Sequence, residues 1–168
     1  LMSDPQKKLL KALIVGKPNV GKSTLLNCLV GEKVSIVSRK AQTTQRNTTG
    51  VITKDNSQLI FFDTPGLNKI EKNIRISETF KTVAENVDVL IYMVDNTKKS
   101  QSIDSQFRNW LNNNENKFIK KILIINKIDC IEKVKLFEIT KKINSVINFD
   151  ETFFISLSKM SGMDRFLN

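Results

Sequence analysis

Apolar runs alternate with segments of helical periodicity along most of the chain. Leu9–Val15 precedes a helical pattern over 22–30, Gln58–Phe62 precedes one over Arg75–Asn86, and Val87–Val94 precedes one over 102–113. The series continues with Lys121–Ile125, a helix over 132–147 and a last apolar run, Thr152–Ile155. Strands that are apolar on both faces and separated by helices predict a parallel sheet covered on both sides, because each crossover lays a helix on the sheet. Thr48–Thr53 is different: its residues alternate, and Asp55-Asn56 follows as a turn, which predicts a hairpin with Gln58–Phe62 and one antiparallel edge strand. The expectation is a three-layer α/β fold in one domain over 1–168, with a six-stranded, mostly parallel sheet and helices on both faces. In the helix at 102–113, Ile103, Phe107, Trp110 and Leu111 share one stripe and should face the core.

Polar clusters sit where several of these strands end. Behind the first run stands Gly16-Lys17-Pro18-Asn19-Val20-Gly21-Lys22-Ser23, a G-x-x-x-x-G-K-S phosphate loop leading into a helix. In such a loop successive backbone N–H groups converge on phosphates, the helix N-terminus adds its dipole, Lys22 reaches the β/γ oxygens and Ser23 offers a hydroxyl to Mg²⁺. A second strand ends in Asp63-Thr64-Pro65-Gly66, where a carboxylate can hold Mg²⁺ through a water and a glycine N–H can meet a γ-phosphate.

A third strand ends in Asn126-Lys127-Ile128-Asp129. A carboxylate can accept both N1–H and the exocyclic N2–H₂ of guanine, whereas adenine offers neither donor there. A buried carboxylate left unpaired by the wrong base costs about 3 kcal/mol or more, enough to reject ATP. Lys127 would lie along the base plane and Asn126 would brace the loop. Ser156-Leu157-Ser158 follows the last strand; Ser156 would cap a tight loop whose backbone N–H meets guanine O6. The phosphate loop alone would permit a kinase or ATPase; the Asn-Lys-x-Asp cluster argues against both.

Composition narrows the chemistry. The chain has no histidine, which removes the commonest general base, most catalytic triads and most zinc sites. Cys28 and Cys130 are far apart and form no C-x-x-C pair, so a disulfide framework is not expected and a reducing cytosol fits. Lys and Arg total 27 against 17 Asp and Glu, a net charge of +10 that favours phosphate-rich partners, although no basic run of five or more appears. No apolar stretch is long enough to span a bilayer, so a cytoplasmic protein is expected, with room only for weak peripheral association at the inner face of the membrane.

Taken together the four boxes resemble those of translation-factor-related GTPases. The segment Lys33-Val34-Ser35-Ile36-Val37-Ser38-Arg39-Lys40-Ala41-Gln42-Thr43-Thr44 with Gly50-Val51-Ile52 resembles the first switch of the Era-type GTPases of bacterial ribosome assembly. Residues 16–27, which add Thr24 to the nucleotide contacts, and Asp63 to Leu67 are similar to the same family. The resemblance covers nearly the whole chain. It implies a P-loop GTPase fold, GTP and GDP as substrate and product, Mg²⁺ held by Ser23, Thr44 (with Thr43 as competitor) and, through water, Asp63. It also implies a slow switch acting on the small ribosomal subunit and its 16S-type RNA.

In that family the GTPase domain, usually monomeric, precedes an RNA-binding KH domain. Ending at Asn168, the chain resembles the GTPase half only, stopping in its last helix. Two departures stand out: Gln45 intervenes before Arg46, and Leu157 replaces the usual alanine. Leu67 stands where Ras-like proteins carry the glutamine that orients the attacking water, so that route is excluded. Catalysis would then fall on Lys22, Thr44, backbone donors such as Gly66, and a monovalent cation, K⁺, for which Asn19 resembles the family ligand. Two further readings stay open: a guanine-nucleotide-dependent binding module with negligible hydrolysis, suggested by Leu67, and a related tRNA-modification GTPase.

Overall fold

The computed structural model describes residues 8–31, 49–54, 57–63 and 78–167. Within them lies one sheet of six strands in the order β2-β3-β1-β4-β5-β6. The strands are β1 (Lys8–Gly16), β2 (Thr49–Lys54), β3 (Ser57–Asp63), β4 (Val89–Val94), β5 (Lys120–Ile125) and β6 (Glu151–Phe154). All pair in parallel except β2, which runs antiparallel to β3 at the edge. Lys54 pairs with Ser57, bracketing the two-residue connection expected of the hairpin, whose own residues lie outside those described.

The central strands are apolar throughout because both of their faces are covered. β4 is buried along its whole length, and Ala12 to Val15 of β1 are at most 2% exposed. Their side chains alternate between two cores, as strand pleating requires. On one side Leu13, Val15, Leu90, Tyr92 and Leu123 meet Phe80 of α2 (Glu78–Ala84), Phe107 and Leu111 of α4 (Ser105–Asn113), and Ile139 and Ile143 of α5 (Lys133–Asn144). On the other, Ala12, Ile14, Ile91, Met93 and Ile124 meet Leu25, Leu26 and Leu29 of α1 (Lys22–Gly31) and Met163 of α6 (Met163–Leu167). Each fully buried leucine or phenylalanine contributes roughly 1.5–3 kcal/mol, so these two layers hold the strand ends at fixed positions.

The helix expected over 102–113 is α4, which begins three residues later, at Ser105; a separate one-turn helix that was not expected, α3 (Lys98–Gln101), precedes it, and residues 102–104 lie between the two. Asp104 causes the break. Its backbone is extended, and its carboxylate accepts hydrogen bonds from Gln106 N at 2.8 Å and Phe107 N at 3.0 Å, starting a fresh helix. Phe107 and Leu111 are buried and Trp110 packs against them as the stripe predicts, while Ile103 reaches the same core from the loop. β4 starts two residues later than expected because Asp88 is used as a clamp: its N–H donates to Lys11 O, and its carboxylate accepts from Lys11 N. Of Arg75–Asn86, the part described is helical from Glu78 to Ala84. α5 ends at Asn144, short of 147, where Ser145 N–H closes on Lys141 O. Among the described residues no helix is long and apolar enough to cross a membrane.

Candidate nucleotide site

Parallel pairing brings the carboxyl ends of β1, β3, β4, β5 and β6 to one edge of the sheet, the position at which open α/β folds bind ligands. Gly16 to Ser23 link β1 to α1 there. The loop turns through two residues of positive φ, Asn19 (67°) and Gly21 (111°). A Cβ on Gly16 would lie 2.5 Å from Met93 O, so the loop can run against β4 only with glycine at that position. Among the described residues the backbone N–H groups of Val20, Gly21 and Ser23 donate to no protein acceptor, which leaves them available to an anion. Lys22 is 6% exposed, and its ammonium donates to Gly16 O at 2.6 Å and Lys17 O at 2.9 Å, folding back over the loop. Burial holds the Lys17 ammonium below the usual lysine range, partly offset by Asp104. Pro18, Asn19, Ser23 and Thr24 are exposed around the mouth.

The loop after β5 forms the opposite wall. Asn126 is buried; its Nδ2 donates to Val20 O at 2.9 Å and its Oδ1 accepts Leu157 N–H at 3.2 Å. It thus joins the phosphate loop to the loop after β6, the bracing role expected of it. Lys127 has left-handed backbone (φ 60°), and its ammonium donates to Asn19 O at 2.8 Å and Asp95 Oδ2 at 2.7 Å. Asp129 accepts the Ser156 hydroxyl at 2.6 Å, a bond that holds its carboxyl below the usual range. Ser156 is itself fully buried, bridges to Ser161, and accepts Lys159 N–H, so it caps the last loop. Its hydroxyl also lies 3.2 Å from that of Ser158.

Two details differ from the reading of the sequence. Asp129 is exposed, whereas the sequence led to the expectation of a buried carboxylate. The Leu157 N–H, expected to face a guanine oxygen, here donates to Asn126, while its side chain packs under Gly21. Asp63 ends β3 in register with Ile14, two residues before Gly16, which puts its backbone at the same edge. Ser23, exposed at the start of α1, offers a hard oxygen donor of the kind Mg²⁺ takes. Thr43, Thr44, Gly66 and Leu67 lie outside the described residues.

Asp95 was not singled out by its sequence context. It follows the all-apolar β4, and its side chain is 4% exposed. Burial alone would raise its carboxyl, but hydrogen bonds from Lys127, Thr97 and Ser100 outweigh this and lower it to about 2. The available signal was the one that marked Asp63, a carboxylate at the end of a buried strand.

A phosphate loop entering α1 and an Asn-Lys-x-Asp wall locked to it through Val20 and Asn19 define a nucleotide-binding G domain of the P-loop GTPase class. Residues 11–127 match the family model described as 50S ribosome-binding GTPase, and the chain belongs to that family of GTPases. Within it the likeness is of Era type. GTPase Era of Bordetella pertussis is 35% identical over 99% of this chain and 56% of its own length. A crystal structure of Aquifex aeolicus Era bound to GDP and AlF4⁻ superposes with a TM-score of 0.68 at 34% identity, covering 95% of this chain and 55% of that one. Era in complex with MgGDPNP and nucleotides 1506–1542 of 16S ribosomal RNA gives 0.65, also at 34% identity, with the same coverage. The chain therefore spans about half the length of the relatives it matches.

Proposed function

We propose that this chain binds GTP with Mg²⁺ and hydrolyses it slowly to GDP and phosphate, as the switch domain of a protein that assists assembly of the small ribosomal subunit. The observation that carries the nucleotide reading is the convergence on one sheet edge of a phosphate loop and an Asn126-Lys127-Asp129 wall tied directly to it. Lys22 would trade its loop carbonyls for β/γ oxygens, and the N–H groups of Val20, Gly21 and Ser23 would surround the phosphates. Asp129 would read the N1–H and N2–H₂ edge of guanine, held in place by Ser156.

Mg²⁺ would be held by Ser23 and Thr44 and, through water, by Asp63. It would neutralise phosphate charge in the way phosphoryl transfer requires. With Leu67 unable to orient water, Gly66, Lys22 and a K⁺ ion at Asn19 are proposed to carry the remaining stabilisation of the departing phosphate. The ribosomal reading rests on the Era relative bound to a 16S RNA fragment and on the net charge of +10. It implies a cytoplasmic site of action.

Single-turnover phosphate release tests the core of this reading. Bound GTP should release phosphate above the uncatalysed background, and ATP should fail to compete with labelled GDP. Tight guanine binding without phosphate release would favour a nucleotide-dependent binding module, and comparable ATP affinity would sink the guanine assignment.

A further inference from the structure

We propose that Asp95 is a positioning residue of the nucleotide site: its carboxylate holds the Lys127 ammonium against the Asn19 carbonyl and so keeps the phosphate loop and the base loop in register. The proposal rests on the guanine-nucleotide reading above and adds to it a residue outside the four nucleotide-binding boxes.

Among the described residues the Lys127 ammonium donates to two acceptors, Asn19 O on the phosphate loop and Asp95 Oδ2 at the end of β4. Its side chain is 38% exposed, and these two bonds restrain a long, rotatable lysine that would otherwise reach solvent. Asp95 is well suited to anchor it because every polar atom of the residue is engaged. Its N–H donates to Ser100 Oγ at 3.0 Å, its carbonyl accepts Ser100 Oγ and Gln101 Nε2, and its Oδ1 accepts both Thr97 N–H (2.9 Å) and Thr97 Oγ1 (2.6 Å).

Ser100 and Gln101 are themselves buried, and Thr97 also caps α3. The one-turn helix α3 thus serves as a mount for a single carboxylate oxygen aimed at Lys127. An ion pair with one buried partner adds little net stability compared with apolar packing, and its better-attested use is to fix one arrangement among several. Here the arrangement fixed is the meeting of two left-handed residues, Asn19 and Lys127, which lie 108 positions apart in the chain.

The test is the dissociation rate of N-methylanthraniloyl-GDP, measured by stopped flow on the wild type, Asp95→Asn, Lys127→Met and the double variant. If Asp95 acts through Lys127, Asp95→Asn accelerates release about tenfold, since losing one partner of a close charge pair acts mainly on dissociation. The double variant then releases no faster than Lys127→Met alone. A purely structural Asp95 would lower the unfolding midpoint without changing the release rate, or its effect would multiply that of Lys127→Met; either result overturns the proposal. If Asp95→Asn does not fold, Thr97→Val, which removes one hydrogen bond to Asp95 Oδ1, takes its place. It should speed release by a smaller factor and only while Lys127 is present, and an unchanged rate overturns the proposal. A wild-type protein that fails to bind the labelled GDP would instead sink the guanine reading itself.

Discussion

Asn126 donates its side-chain amide to the carbonyl of Val20, 2.9 Å away and 106 residues earlier in the chain. The same side chain accepts Leu157 N–H, so one buried amide satisfies two backbone groups from opposite walls of the site. Replacing Asn126 with Ala strands a buried carbonyl and a buried N–H together. We expect a loss of about 2–4 kcal/mol in unfolding free energy by urea denaturation, and weaker GDP binding by titration.

Gly21 sits against that same amide. A Cβ there would lie 2.4 Å from Asn126 Nδ2, and its φ of 111° is one that other residues adopt only under strain. Gly21→Ala should therefore cost roughly 2 kcal/mol or more and reduce nucleotide affinity in the same variant. Isothermal titration with GDP and a thermal melt measure the two effects separately.

On the proposed function, Asp129 would carry the base preference. An amide in its place can still accept N1–H but would turn its NH₂ toward the N2–H₂ of guanine, two donors facing each other. Xanthine, with a carbonyl at that position, fits the amide. Asp129→Asn should lose guanine affinity by at least about a hundredfold and prefer xanthosine diphosphate, as competition against labelled nucleotide would show.

Acid should loosen the Asp95 anchor in a defined window. The carboxyl is lowered in the folded state from 3.8 to about 2, so its contribution is nearly complete above about pH 5 and is lost as pH falls through 3.8 toward 2. That contribution is on the order of 2 kcal/mol. The difference in unfolding free energy between wild type and Asp95→Asn should accordingly shrink between pH 5 and pH 2, measured by denaturant titration at each pH.

Asn19 combines an exposed side chain with a backbone carbonyl already committed to Lys127. If K⁺ supports hydrolysis through this residue, turnover in K⁺ should exceed that in Na⁺ by about tenfold, some 1.4 kcal/mol of barrier, and Asn19→Ala should remove the difference. Equal rates in the two salts for the wild type would end the assignment.

The nucleotide boxes were readable because each places a distinctive polar cluster at the end of an apolar strand, and strand ends are where an open α/β sheet gathers ligand contacts. The antiparallel edge was readable from the alternation of Thr48–Thr53. The break before α4 was hidden because Ile103 and Phe107 keep helical spacing, although Ile103 reaches the core from a loop and Asp104 restarts the helix. Asp95 was hidden for another reason. Followed by Asn96 and Thr97 it looks like an ordinary turn, and its partner Lys127 lies 32 positions away. The switch of Leu157 N–H to Asn126 is likewise a long-range contact, 31 positions apart, that local pattern cannot encode.

The site is made from segments more than a hundred residues apart, and this sets an order on its birth. During synthesis the phosphate loop emerges before the groups that brace it: Asn126 and Lys127 follow β5, and Ser156 follows β6, which among the described residues pairs with β5 alone. A nascent chain that has passed Ser23 but not reached Ser158 carries the phosphate loop without its far wall. Contacts of such sequence separation form late, because the intervening chain must first be ordered. Capture of a guanine nucleotide would therefore mark the moment at which the last strand has joined the sheet.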